Sequence, residues 1–182
     1  MTKFRKPTLD DLKNSCLDQK AAEVMQIRDV SPDEMASIFR NAYIKLNKPA
    51  PKNLPKVWAY EIPYFDPDGK LNGFCRYKLL EEYTPQGAKK SVKYLQLTGT
   101  KPRFYFPPFC DWSKIAVNSD DLYIVEGEKK AAALTLLGSP AIGLSGVWGW
   151  KSKEDESSEV ISDFNHIKLV NRKTIIVFDA DV

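Results

Sequence analysis

Two apolar segments in the last third of the chain each end in acidic side chains. The first, "LYIV", runs into Glu126 and Gly127 and then into the helix-forming stretch "EKKAAALTLLG". The second, "KTIIVF", runs into Asp179 and Asp181. Between them, "SPAIGL" predicts a middle strand. This order of strand, helix, strand, connection and strand is typical of a parallel α/β unit.

Parallel strands joined by right-handed crossovers all end at the same edge of their sheet, where α/β folds bind ligands. We therefore expect Glu126, Asp179 and Asp181 to meet there, although 53 residues separate the first two. Three neighbouring carboxylates repel one another unless a cation joins them. Hard oxygen ligands suit Mg²⁺, with Mn²⁺ as an alternative ion. The pattern predicts metal-assisted phosphoryl transfer, with one of the carboxylates handling a proton. Each acidic motif alone is more often a solvated loop.

The chain before these segments differs in composition, and we divide the whole sequence into three regions. Residues 1–50 predict short helices: Thr8 is a candidate N-cap of the first, and a capping box begins at Ser31 and Pro32. Residues 51–117 predict an antiparallel hairpin region, in which "DPDGK" turns between two strands. The stretches "KYLQLTG" and "RFYFPP" are two further strand candidates of this region. Residues 118–182 form the α/β region. The expected fold class is thus an α+β N-terminal half, with small helices and an antiparallel hairpin sheet, packed on a partial α/β half with a parallel sheet.

The charges are spread unevenly along the chain. Residues 1–117 hold 20 Lys and Arg against 13 Asp and Glu, whereas residues 118–182 hold 7 against 11. Basic and aromatic residues alternate in the hairpin region, and such a surface binds phosphates and stacks bases. We name Arg76, Lys78 and Arg103 as candidate nucleic-acid contacts. The alternative is that the aromatic residues are core and the basic ones line an outer sheet face.

Two further features lie near the predicted edge. Lys129 and Lys130 open the helix after Glu126 and are candidates to neutralise substrate phosphates, since helix N-termini favour anions; a solvated helix face is the alternative. Trp148 and Trp150 follow the middle strand and would either stack bases or cover the sheet edge.

Composition restricts the remaining classes. No apolar run approaches the ~20 residues that span a bilayer, and the first residues lack a signal-peptide core. The three cysteines show no CxxC spacing, which argues against a zinc ribbon or a disulfide framework. We expect a cytoplasmic protein with no membrane partner.

The motifs quoted above resemble those of a known family of catalytic domains. "YIVEGEKKA", "AIGLSGVWGW" and "IIVFDADV" resemble a TOPRIM domain, the catalytic module of bacterial-type primases, some topoisomerases and some nucleases. With the hairpin and the "PRFYFPP" stretch, the chain more closely resembles the uncharacterised TOPRIM-like, primase-like domain of phage and plasmid replication proteins, which usually precedes a helicase. TOPRIM folds usually continue past the second aspartate, so the resemblance also implies a C-terminally truncated domain.

The resemblance implies roles for particular residues. Glu126 would act as general acid or base, and Asp179 and Asp181 would coordinate Mg²⁺. The expected function is Mg²⁺-dependent nucleotidyl transfer by a primase-like enzyme in DNA replication, with DNA and nucleotides as partners and a helicase nearby. A TOPRIM-type nuclease is one alternative. A non-catalytic DNA-binding or regulatory module of a replication protein is another.

Overall fold

The computed structural model describes residues 4–151 and 160–179. Its α-helices there are α1 (Lys6–Lys13), α2 (Gln19–Val24), α3 (Pro32–Lys45), α4 (Trp112–Ile115) and α5 (Glu128–Leu136), with a 3₁₀ helix at Ser162–His166. Its strands are β1 (Arg28–Val30), β2 (Ala59–Phe65), β3 (Leu71–Leu79), β4 (Tyr94–Gln96), β5 (Leu122–Glu126), β6 (Ala141–Leu144) and β7 (Thr174–Val177). Within these residues, no helix is both long and apolar enough to cross a bilayer.

The first helices follow local capping signals. Ser31 accepts a hydrogen bond from the amide of Glu34 at 3.3 Å, and Pro32 begins α3 as predicted. The start of α1 differs from the sequence-based expectation, which placed Thr8 at the N-cap. The helix begins at Lys6, and Thr8 is buried within it, where its hydroxyl donates to Asp29 at 2.5 Å.

Strands β1 to β4 form a four-stranded sheet in sequence order. The predicted hairpin is its centre: the amide of Asp66 donates to the carbonyl of Lys70 at 2.8 Å, and Gly69 takes a φ of 80°. Both outer pairings are antiparallel, with Val30 opposite Ala59 in one of them.

The chain divides into two compact units. The first comprises Met1–Lys13, Asp18–Pro63 and Cys75–Thr100, and the second comprises Asn14–Leu17, Tyr64–Phe74 and Lys101–Val182. The core of the first unit consists of α3 residues and inward-facing sheet residues: Val30, Met35, Phe39, Ala59, Tyr77, Leu79 and Tyr83. Phe39 and Tyr77 meet edge to face, with ring centroids 5.6 Å apart.

The second unit contains a three-stranded parallel sheet in the order β6-β5-β7. Tyr123 pairs with Ala141 on one side and with Ile175 on the other, so β5 is central. Crossover α5 connects β5 to β6, as the sequence predicted. The core against this sheet comprises Phe104, Phe106, Trp112, Leu122, Ile124, Ile142, Leu144, Ile161 and Ile167.

One strand prediction was wrong. "RFYFPP" does not add a strand to the antiparallel sheet; Tyr105 alone forms an antiparallel bridge to Gly143 of β6. The flanking prolines limit further pairing because they lack an amide hydrogen. The predicted fold class is confirmed: an α+β arrangement with an antiparallel sheet and a separate parallel sheet.

Candidate active site at the carboxyl edge of the parallel sheet

Glu126 is the last residue of the central strand β5 and lies opposite Leu144, the last residue of β6. The chain then turns sharply at Gly127, which has φ 91° and ψ 151°, a conformation that favours glycine. The amide of Gly127 donates to the carbonyl of Leu144 at 2.8 Å. The turn that carries Glu126 is therefore tied to the neighbouring strand.

Asp179 follows the other neighbour of β5. Val125 pairs with Val177 in parallel register, so Asp179 stands two residues beyond the last paired residue of β7. Adjacent strands lie about 4.8 Å apart, so Glu126 and Asp179 belong to the same edge of the sheet. Asp181 lies outside the described residues. Among the residues the structure describes, no group of three or more His, Cys, Asp or Glu side chains is arranged to hold a metal ion. The metal assignment of Glu126, Asp179 and Asp181 thus stays a prediction.

The two lysines predicted near this edge open helix α5. The ammonium of Lys130 forms an ion pair with Oδ1 of Asp179, and both side chains are about half exposed. Lys129 is half-buried in the same turn. Two cationic side chains thus lie in the first turn after Glu126, and that of Lys130 is paired with Asp179, a predicted metal ligand.

Sequence reasoning missed a buried carboxylate beside the candidate catalytic one. Glu128 is only 1% exposed, and its Oε1 accepts a hydrogen bond from the hydroxyl of Tyr64 at 2.6 Å. The hydroxyl of Tyr105 is fully buried nearby, and burial together with the charge of Glu128 raises the pKa of Tyr105 well above its usual value. The hydrogen bond between Tyr64 and Glu128 anchors the start of α5 immediately after the Glu126 turn.

A signal for this burial was present in the sequence. Glu128 shares the helical spacing of Ala131, Ala132 and Thr135, which together form the buried face of α5. A carboxylate on an otherwise small-residue face predicts a buried partner.

Close packing holds the helix against β6. A side chain added at Gly143 would meet the carbonyl oxygen of Gly127 at 3.0 Å and Cβ of Ala131 at 3.3 Å. Glycine at this position lets α5 and the Glu126 turn approach the middle strand closely.

Arg76 and Lys78 lie on β3 of the first unit. The Arg76 guanidinium is 4.9 Å from the ring centroid of Tyr94, and the Lys78 ammonium is 5.5 Å from it. Lys78 also lies 3.7 Å from Asp11, and its side chain is only 14% exposed. Their role as nucleic-acid contacts stays a prediction, and their charged groups lie over the ring of Tyr94.

Arg103 lies in the second unit and is held by two carboxylates. Its Nε contacts both oxygens of buried Asp163 at 2.8 and 2.9 Å, and its Nη2 contacts Asp66 at 3.0 Å. Asp163 also accepts the amide of Phe104 at 2.6 Å. Arg103 remains a predicted nucleic-acid contact, but two protein carboxylates already engage its guanidinium.

Comparison with known proteins supports the fold. A family profile described as Domain of unknown function (DUF3854) matches residues 111–182. No curated protein matches the chain.

Three solved structures share the architecture. A DnaG primase catalytic domain bound to ssDNA matches with a TM-score of 0.57 and 17% identity, covering 97% of this chain and 56% of that one. The DnaG catalytic core matches with a TM-score of 0.56 and 17% identity, over 95% and 54% of the two chains. The zinc-binding and RNA polymerase domains of the Aquifex aeolicus primase match with a TM-score of 0.53 and 13% identity, over 96% and 43%. The chain spans about half the length of these structures and has the primase, TOPRIM-like fold.

Proposed function

We propose that this chain is a primase-like domain that performs Mg²⁺-dependent nucleotidyl transfer on nucleic acid. The observation that carries the proposal is the parallel register of β5 with β6 and β7, which brings the ends of three strands to one edge. Glu126 and Asp179 occupy that edge, and the DnaG catalytic domains have the same fold.

Each residue would have a distinct task. Asp179 and Asp181 would bind the metal ion, which, when bound, neutralises charge on the transferred phosphoryl group. Glu126 would accept or donate the proton of the attacking or leaving hydroxyl. Lys129 and Lys130 would neutralise substrate phosphates beside the metal.

The carboxylate chemistry of the edge fits a hard divalent cation. Carboxylate oxygens with room for water are the ligands that Mg²⁺ prefers, and Mn²⁺ accepts the same set. The exposure of Asp179, whose side chain is 58% accessible, leaves space for hydration waters. Gly127 adds a site without a side chain, where a phosphate can approach the backbone.

The wider context rests on the resemblance of the motifs. We propose that the domain serves DNA replication of a phage or plasmid in the cytoplasm, acting on single-stranded template with nucleotides and alongside a helicase. A complex of one neighbour with ssDNA supports the choice of single-stranded DNA as the probe.

The test incubates the protein with labelled single-stranded DNA, nucleotides and Mg²⁺. Products of nucleotide polymerisation on the template support the primase-like activity, whereas shortened DNA supports the nuclease alternative. Binding without metal-dependent products would overturn the enzymatic proposal and favour the binding module.

Matched variants locate the activity. Glu126→Gln should lower the rate by ~10²- to 10⁴-fold, the usual contribution of a positioned acid or base. Asp179→Asn should raise the Mg²⁺ concentration needed for half-maximal rate. The control is Asp121→Asn, an exposed carboxylate that precedes β5 at the opposite edge of the sheet. Equal losses in Asp121→Asn would contradict the assignment.

A further inference from the structure

The loop after β6 begins beside Glu126, because Leu144 pairs with that residue. It is a compact turn: the amide of Gly149 donates to the carbonyl of Gly146 at 2.8 Å. The amide of Lys151 donates to the carbonyl of Trp148 at 3.2 Å, and Lys151 forms an antiparallel bridge with Val160. The backbone that carries the two tryptophans is therefore fixed at both ends.

The two tryptophans of this loop have different environments. Trp150 packs against the core of the second unit, and its carbonyl accepts the amide of Ile161 at 3.0 Å. Trp148 is 69% exposed, and its ring lies 6.5 Å from that of Trp150 at an interplanar angle of 32°. One tryptophan thus anchors the loop while the other presents its ring to solvent.

A lysine completes this aromatic group. The ammonium of Lys151 lies 5.1 Å from the ring centroid of Trp148 and 4.7 Å from that of Trp150. A cation–π contact at an exposed site is a weak attraction that favours this orientation of the ring. A tryptophan ring that is already oriented loses less conformational freedom when it binds a flat ligand.

We propose that Trp148 is a stacking platform for a nucleobase of a single-stranded nucleic acid. The assignment of the strand to this edge rests on the function proposed above, which places phosphates near Glu126. Every base has a π-face, so an aromatic platform holds a strand without reading its sequence.

The test measures affinity for two labelled oligonucleotides of equal length, one of thymidines and one fully abasic, in EDTA. Trp148→Ala should weaken binding of the thymidine strand by ~5- to 150-fold, the usual worth of one stacked base. Trp148→Phe should retain most of the affinity. Leu137→Ala, which removes another largely exposed apolar side chain, just after α5, is the matched control and should have no effect.

Several results decide the proposal. The thymidine strand should quench the intrinsic tryptophan fluorescence of the unmodified protein, and the abasic strand should not; this second readout needs no variant. Equal affinity of Trp148→Ala and the parent chain, or equal binding of the abasic strand, would overturn the platform. If the thymidine strand quenches the fluorescence while Glu126→Gln leaves product formation unchanged, the proposed chemistry is refuted and the stacking site is still supported.

Discussion

The ammonium of Lys130 forms an ion pair with Asp179, a residue 49 positions later in the chain. The pair joins the first turn of α5 to the end of β7. Both side chains are about half exposed, and ion pairs of this kind contribute only about 0–1 kcal/mol. A divalent cation could therefore displace the lysine from the carboxylate at little energetic cost.

Removal of this lysine should strengthen metal binding. Lys130→Ala takes a competing cation from Asp179, so we expect Mg²⁺ affinity to rise by about 2- to 5-fold, as the loss of a pair worth under about 1 kcal/mol implies. Isothermal titration calorimetry measures the change. Lys173→Ala, which removes an exposed lysine paired with Asp121 just before β7, should leave the affinity unchanged. Weaker Mg²⁺ binding in Lys130→Ala would show that the lysine does not compete with the ion.

The hydrogen bond from Tyr64 to Glu128 should contribute to stability. Tyr64→Phe removes the hydroxyl that donates to a carboxylate only 1% exposed. Hydrogen bonds to charged groups contribute about 1.5–3 kcal/mol, so urea unfolding should show a loss of this size with an unchanged m value. Tyr123→Phe is the control, since the Tyr123 hydroxyl has no hydrogen-bond partner among the described residues. A loss below that of the control would mean that water replaces the hydroxyl.

The ion pair of Arg103 with Asp163 should be the costliest single contact to break. Asp163 is 1% exposed and accepts a bifurcated hydrogen bond from Nε–H of Arg103 and a second one from the amide of Phe104. Asp163→Ala leaves a guanidinium without its buried partner, and we expect a loss of about 3–5 kcal/mol in the free energy of unfolding. Asp121→Ala breaks an exposed pair and should cost under about 1 kcal/mol. Similar losses in both variants would refute the distinction.

Thiol reactivity should separate the three cysteines. Burial raises the pKa of Cys75 and of Cys110 to about 11, whereas Cys16 is exposed. The thiolate is the nucleophile, so iodoacetamide at pH 8 should modify Cys16 at least ~10-fold faster than the other two. Peptide mass spectrometry measures the three rates, and faster labelling of Cys110 would contradict its burial.

The same pKa shifts predict that the free energy of unfolding falls at alkaline pH. A raised pKa means that the folded protein favours the neutral thiol, so the stabilisation is complete below the unfolded pKa of about 8.5. It is lost as the pH rises through about 11, the folded value for Cys75 and Cys110. Urea midpoints should therefore fall between pH 9 and 11, and a Cys75→Ala, Cys110→Ala variant should show a smaller fall.

Local sequence patterns predicted most of the secondary structure. Ser31 and Pro32 begin α3, and the "DPDGK" turn joins β2 to β3, because capping and turn chemistry act within a few residues. The βαβ order predicted parallel strands and the shared edge of Glu126 and Asp179, since crossover handedness follows from chain chirality. The start of α1 was missed because Thr8 bonds to Asp29, 21 residues away.

The burial and the pairing of individual side chains were determined only by the tertiary structure. The sequence by itself determined that carboxylates follow two strands and that tryptophans follow a third. Only the fold decided that Trp150 packs on the core while Trp148 is exposed, and that Glu128 is buried against Tyr64. Backbone periodicity is a local property, whereas burial and pairing depend on partners that the chain brings together from far apart in sequence.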